Sequence, residues 1–229
     1  MKLFIVATPL GNLSDITLRA LEVLKSVSLI ACEDTRVSQK LLSHYQIKTK
    51  TISYHQHSSV AKVDFLLDKL KEVEEMAVIT DAGTPGISDP GNLLIEVVVK
   101  KFGNDCEIIP IPGPSAIIAL LSVSGLPTDS FLFLGFVPHK KGKETMLKRI
   151  IESKETIIFY ESTHRIIKTL EKMNEMTSLD TDKMRRMVIG RELTKKFETI
   201  YRGTISQVLE KLKMDIIKGE FVVILEGKK

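Results

Sequence analysis

Five short apolar runs, at residues 2–7, 28–33, 50–54, 76–81 and 106–111, alternate with stretches whose apolar residues recur at helical spacing. This alternation constrains the first half of the chain more than any other feature. Strands that read as near-continuous apolar runs are buried on both faces, so the pattern predicts a mostly parallel sheet with helices on either side. Helical spacing begins at Ile16, Leu18, Leu21, Val23, Leu24 and Val27, after a polar segment in which Ser14 or Asp15 is expected to act as the cap. It returns at 35–45, 58–73, 91–103 and 114–124. Cys32 and Cys106 each fall in an apolar run and are expected to be buried free thiols in a reducing compartment.

Around Gly125-Leu126-Pro127-Thr128-Asp129 the pattern breaks in a turn-rich stretch. Strand-like runs then follow at 130–136, 155–161, 186–190, 197–202 and 220–226, with fewer helices between them, at 141–153, 163–175 and 204–213. The segment 176–185 is expected to be an exposed loop. The fold class is therefore α/β with two domains: 1–118, a mostly parallel sheet with flanking helices, and 119–229, an α+β domain with a mixed sheet. With 43% hydrophobic residues in 229, the chain can bury one large core or two modest ones. The apolar run at the N-terminus is too short for a signal-peptide core, and no stretch reaches membrane-spanning length. A soluble cytoplasmic protein with no membrane contact is expected. The halves before and after residue 118 carry −2 and +6, which is compatible with a polyanion meeting the second half but does not identify it.

In open parallel sheets ligands bind where strands end and helices begin, because backbone N–H groups face the crevice there. Three loops at such places are unusual: Thr8–Leu13, Asp81–Gly91 and Pro110–Ala116. Six of the eight prolines (Pro9, Pro85, Pro90, Pro110, Pro112 and Pro114) lie in them, interleaved with glycines. Proline fixes the backbone and glycine permits otherwise forbidden angles, so these loops suit a preformed ligand cradle. No Gly-Lys-Ser/Thr follows the glycines, and Gly83, Gly86 and Gly91 do not have the G-x-G-x-x-G spacing. A P-loop triphosphate and a classical dinucleotide are thereby disfavoured. A compact adenosine-type ligand with a carboxylate and an amine suits the backbone donors, a helix N-terminus at Ser115 and a carboxylate such as Asp81.

The motifs Val6–Leu13, Glu33-Asp34-Thr35-Arg36, Asp81–Gly91, Pro112–Ala116 and Ser124–Thr128 continue with Phe133–Phe136, Tyr160–Arg165, Arg191–Lys195 and Gly219–Phe221. In this order and spacing the chain resembles the tetrapyrrole-methylase-like class of S-adenosylmethionine-dependent methyltransferases, and within it the branch acting on small-subunit ribosomal RNA. The resemblance implies a two-domain fold with S-adenosyl-L-methionine held in the interdomain cleft, a homodimer, no metal, and 16S ribosomal RNA of the small ribosomal subunit as partner. The implied reaction is methylation of a cytidine 2′-hydroxyl at the decoding centre. Carried over residue by residue, Pro9, Asp81, Gly83, Thr84, Ile87, Ser115 and Ala116 are expected to line the donor site, with Leu134, Leu193 and Thr194 near its adenosine.

This sequence also departs from its relatives. Tyr54-His55-Gln56-His57-Ser58-Ser59 stands where they typically carry His-Glu-His-Asn-Glu, and Thr163 replaces a common proline. The chain ends soon after Gly219–Phe221, without the C-terminal extension of some relatives, so a different grip on the substrate is expected.

Methyl transfer to an alcohol is an in-line displacement in which alignment supplies much of the rate and a positioned base helps remove the proton. Glu33, Asp34 and Glu161 are the carboxylate candidates for that base, with His55 and His164 as alternatives. For Glu33–Arg36 the competing reading is a helix start with Arg36 pairing locally. His55 and His57 lack the converging partners a metal needs. Arg36, Lys140, Lys141, Lys143, His164, Arg165 and Lys195 are the candidates for RNA phosphate contacts. Two rival functions share the fold: methylation of a tetrapyrrole or other small molecule, and a non-catalytic RNA-binding or ribosome-assembly role.

Overall fold

The computed structural model describes residues 1–54, 60–89, 91–177 and 184–228. His55, Gln56, His57, Ser58, Ser59 and Pro90 lie outside the described residues, as do 178–183 of the expected loop. The chain divides into two units, Met1–Ser115 and Ala116–Lys229.

In the first unit β1 (Lys2–Val6), β2 (Leu29–Cys32), β3 (Lys50–Ser53), β4 (Glu75–Ile79) and β5 (Glu107–Ile111) form one sheet in the order β3-β2-β4-β1-β5. Every pairing is parallel. The helices are α1 (Leu18–Ser26), α2 (Thr35–His44), α3 (Val60–Val73) and α4 (Gly91–Phe102). Side chains alternate between the two faces of each strand. Val6, Ile30, Cys32, Ala77 and Ile79 meet Ala20 and Leu24 of α1 and Leu42 of α2. Leu3, Ile5, Leu29, Ala31, Met76 and Val78 meet Leu66, Leu67 and Leu70 of α3 and Leu94 and Val98 of α4. The chain winds outward through β1, β2 and β3, then returns through β4 and β5. Crossovers of constant hand therefore place the two helix pairs on opposite faces.

Two local expectations are corrected. Neither Ser14 nor Asp15 caps α1: Asn12 accepts from the Ser14 N–H to cap a single 3-10 turn, and Thr17 Oγ1 accepts from the Ala20 N–H at 3.1 Å. Pro110 lies within β5, not in the loop beyond it. It is tolerated because β5 is an edge strand. Both cysteines are buried and unpaired.

The second unit opens with α5 (Ala116–Ser124) and continues through β6 (Phe131–Phe136), α6 (Lys143–Glu152), β7 (Thr156–Ser162), α7 (Ile166–Thr177), β8 (Arg186–Arg191), β9 (Thr199–Thr204), α8 (Ile205–Lys213) and β10 (Glu220–Leu225). Its sheet has the order β6-β7-β10-β8-β9, with β6 and β7 parallel and the other pairings antiparallel. Ile157, Phe159, Ile189, Phe221 and Val223 pack against α6, α7 and α8. On the other face Ile158, Val188, Val222 and Ile224 receive Ile117, Leu120 and Leu121 of α5. Thr204 and Gln207 close a reciprocal capping box at the start of α8.

The end of the expected 176–185 loop is not exposed: Arg185 is buried, and its guanidinium donates to the carbonyls of Glu226 at 2.7 Å and of Ile151. Among the described residues no helix is long and apolar enough to cross a membrane.

Candidate functional site

Because all strands of the first sheet run parallel, the loops that follow them leave from one edge. The three proline- and glycine-rich loops follow β4, β1 and β5, which are neighbours in the sheet. Backbone hydrogen bonds stitch the loops together. The Thr8 N–H donates to the Gly83 carbonyl at 2.9 Å, and the Gly83 N–H returns to Thr8 at 3.0 Å. Thr8 Oγ1 donates to the Thr80 carbonyl at 3.0 Å, and Thr84 Oγ1 to that of Pro114 at 3.3 Å. At Gly113 a Cβ would stand 3.0 Å from the Ala7 Cβ, so the close approach of the loops after β1 and β5 requires glycine there. Gly83, Gly86 and Ser88 have φ of 85°, 86° and 61°, which coil the loop after β4. Its Ile87 is left half exposed. Pro9, Gly83, Thr84 and Ser115 thus belong to one constructed edge.

The carboxylates stand on the same edge, after β2 and β4, which are also neighbours. Thr80 Oγ1 donates to Glu33 Oε2 at 2.6 Å, and the Asp34 N–H donates to Asp81 Oδ1 at 3.0 Å. Thr80 and Thr8, buried and bridging neighbouring elements, were not singled out from the sequence. Arg36 grips Asp34 with Nε and Nη2 at 3.1 and 2.6 Å, and its backbone N–H adds a third bond to the carboxylate. These bonds hold the Asp34 carboxyl at about 2, far below its ordinary value. Asp81 moves the other way: partial desolvation raises it, and the charges of Glu33 and Asp34 add to the effect. Two aspartates in one constellation are therefore driven apart, Asp34 toward permanent charge and Asp81 toward easier protonation.

In the second unit, β6, β7 and β8 end at the edge where β10 begins, since β6 and β7 are parallel and β10 opposes both β7 and β8. Motifs far apart in sequence meet there. Glu192 and Thr194 adopt left-handed φ of 50° and 66°, a conformation costly for residues with side chains. The loop is held by the Glu192 N–H on the Glu220 carbonyl at 3.0 Å and by the Thr194 N–H on Glu198 Oε2 at 2.6 Å. Lys195 bridges Glu192 at 3.0 Å and Glu220 at 2.8 Å. Leu193 is buried against the α5 face of the sheet, whereas Leu134 packs on the opposite face. Ala116 is the first residue of α5.

Glu161 and Arg165 have structural partners that the sequence did not reveal. The Glu161 side chain is wholly buried, accepting from Thr169 Oγ1 at 2.8 Å, from the Ser162 N–H at 2.7 Å and from Arg165 at 2.8 Å. Arg165 also donates to the Val137 carbonyl at 2.7 Å and to Ser162 Oγ at 3.1 Å. The pair ties β7 to the segment after β6 instead of offering a base or a cation to solvent. Thr163, in place of the usual proline, uses its hydroxyl to donate to the Gly219 carbonyl. His164, Lys140 and Lys141 are exposed and Lys143 is half-buried. The three lysines flank the N-terminus of α6, where positive charge opposes the helix dipole, so helix stability does not explain them.

Residues 2–209 match the family described as Tetrapyrrole (Corrin/Porphyrin) Methylases. The chain is 47% identical to Ribosomal RNA small subunit methyltransferase I of Haemophilus influenzae, over 99% of this chain and 78% of that protein. It is 45% identical to the protein of the same name from Hydrogenobaculum sp., over 98% of this chain and 95% of that one. Among solved structures, diphthine synthase superposes with a TM-score of 0.74 at 14% identity, covering 99% of this chain and 90% of that one. A cobalt precorrin-4 methyltransferase superposes at 0.70 and 19% identity, covering 98% and 94%. At such identities the superpositions speak for the fold alone.

Proposed function

The chain belongs to the tetrapyrrole methylase family, in the group of ribosomal RNA small subunit methyltransferase I, and from that premise we propose that it methylates the 2′-hydroxyl of a cytidine in the decoding centre of 16S ribosomal RNA. The observation that carries this reading is identity of 43–47% over nearly the whole chain with proteins of that name, joined to a stitched loop edge of the kind an adenosine-type ligand needs. S-adenosyl-L-methionine supplies an electrophilic methyl group on a sulfonium. The stitched loops fit such a ligand: prolines and cross-loop hydrogen bonds hold them on a rigid path, Gly113 lets the loop after β5 close on Ala7, and Gly83 supplies a left-handed turn.

The roles of this chain's own residues follow. Pro9, Gly83, Thr84, Ile87, Ser115 and Ala116 line the donor site, Asp81 accepts hydrogen bonds from the donor's polar groups, and Leu193 and Thr194 contact its adenosine. Holding both reactants in line is the main catalytic contribution. Glu33, fixed by the Thr80 hydroxyl, accepts the proton of the ribose hydroxyl as the new O–C bond forms. Asp34, held at about 2 by Arg36, is too weak a base for that task and acts as a positioning residue. Lys140, Lys141, Lys143 and His164 take RNA phosphates, as do Arg36 and Lys195. The working form is a homodimer acting on the small ribosomal subunit in the cytoplasm.

Incubating purified small subunits with labelled methyl donor tests the reading. Label in 16S RNA, at a linkage resistant to alkali because its 2′-oxygen is blocked, is the expected result. Label confined to small-molecule acceptors, or RNA binding without transfer, would replace it with one of the rival functions.

A further inference from the structure

We propose that the aromatic face at the end of β6 is a stacking platform for an unpaired RNA base, resting on the reading that ribosomal RNA is the substrate. The register of β6 carries the argument. Phe131, Leu132 and Phe133 lie opposite Thr156, Ile157 and Ile158 of β7, but the next pair is Phe136 with Tyr160. Three residues of β6 therefore advance against two of β7, and Gly135, at φ 66°, absorbs the extra residue as a bulge. In a regular strand Phe136 would face away from Phe133, because side chains alternate. The bulge returns it to the same face, where it meets Tyr160 at a centroid distance of 5.2 Å and a tilt of 49°. Phe133 meets the same ring edge-on, also at 5.2 Å.

Core packing gives no reason for this device, because the re-aimed ring of Phe136 is 53% exposed. The support beneath it is rigid. Val137 is buried, its N–H donates to the Tyr160 carbonyl, and its own carbonyl accepts from Arg165 at 2.7 Å. From Phe131 to Lys143 the chain carries no acidic residue, and Lys140, Lys141 and Lys143 follow the exposed ring within seven positions. His164, also exposed, lies four residues beyond Tyr160. Rings that stack a base, beside cations that hold the flanking phosphates, are what recognition of single-stranded RNA requires. Glu220 is an acidic group acting on Tyr160, but it is paired with Lys195 at 2.8 Å, so the charge still favours an RNA strand over a second apolar protein surface.

The test uses the full chain and a 2-aminopurine-labelled oligoribonucleotide of decoding-centre sequence. Phe136→Leu keeps apolar bulk but removes the π face, and Phe136→Trp restores it. The wild type and Phe136→Trp should bind the oligonucleotide and quench its fluorescence. Phe136→Leu should bind about tenfold more weakly, as expected for loss of one stacked base, without quenching and with a raised KM for small subunits. Its melting temperature and calorimetric affinity for the methyl donor should stay at the wild-type level. Equal RNA affinity and equal quenching in Phe136→Leu would overturn the platform while leaving the RNA reading intact, whereas a donor-binding wild type that never binds RNA would remove both. If Phe136→Leu instead converts a dimer to monomers in sedimentation, the ring belongs to a subunit contact and the platform is wrong.

Discussion

Gly190→Ala probes how the β8–β9 loop is set against the second unit. A Cβ at this strand position would lie 2.8 Å from Leu193 Cδ2, 2.9 Å from Leu120 Cδ1 and 3.1 Å from Leu193 Cγ. Carbon atoms rest at about 3.5–4.0 Å, so both leucines would have to retreat by roughly 0.7 Å. They have little room: Leu120 is fully buried, Leu193 is 8% exposed, and both pack among Ile158, Val188, Val222 and Ile224. Overpacking of this kind costs about 1–3 kcal/mol. Replacing glycine by alanine within a strand returns up to about 1 kcal/mol through the unfolded chain. The net expectation is a loss of about 1–2 kcal/mol, read as a fall in melting temperature of roughly 3–10 °C for a unit of this size. Donor affinity should fall with it, because Leu193 and Thr194 are displaced together. Leu193→Ala alone should cost about 2–5 kcal/mol, but the double variant should cost less than the sum, since the shortened side chain relieves the collision. Additive losses, or a Gly190→Ala protein that melts at or above the wild type, would refute this packing.

Three further outcomes follow from the same geometry. Glu161→Ala should destabilise the protein by about 3–5 kcal/mol, measured from urea midpoints, because it leaves Arg165 without its buried partner; a neutral result would mean that the pair is not what joins β7 to the segment after β6. The raised pKa of Asp81 means that its ionisation costs the native state: stability attributable to it is greatest below the ordinary carboxylate value and declines as pH rises through the raised one, whereas Asp34's contribution is full above the ordinary value and is lost as pH falls to about 2. Donor affinity should therefore weaken on acidification through the raised pKa of Asp81, above the pH at which an ordinary carboxylate protonates, and Asp81→Asn should flatten that dependence in calorimetry, unless Asp81 does not face the donor. Reversing Lys140, Lys141 and Lys143 to glutamate should weaken RNA binding and shallow its salt dependence, while donor affinity stays unchanged and the melting temperature is kept or slightly raised, because acidic side chains suit the N-terminus of α6; unaltered RNA affinity would rule out these lysines.

Much of the architecture was legible because burial on both faces of a parallel strand leaves an uninterrupted apolar signature, as at Leu29–Cys32 and at Met76, Ala77, Val78 and Ile79. The cap of α1 was not, because Asn12, Ser14, Asp15 and Thr17 can all cap and only the path of the chain selects Thr17. The loops were recognisable from their prolines and glycines, but the bond between Thr80 and Glu33 spans 47 residues and exists only because β2 and β4 are adjacent, which strand order decides. Glu161 read as a candidate base because a carboxylate at a strand end looks the same in sequence whether it faces solvent or an arginine four residues on. The re-aiming of Phe136 depends on one left-handed glycine, and local pattern cannot distinguish such a bulge from an ordinary turn.

Mass-spectrometric mapping of 16S RNA from cells with and without this protein addresses the proposed chemistry most directly. A single cytidine at the decoding centre should carry a ribose methyl in the first RNA, lose it in the second, and regain it on complementation with the wild-type chain but not with a Glu33→Gln, Asp81→Asn double variant. An identical methylation pattern in both RNAs, or a lost methyl that maps to a base instead of a sugar, would contradict the assignment.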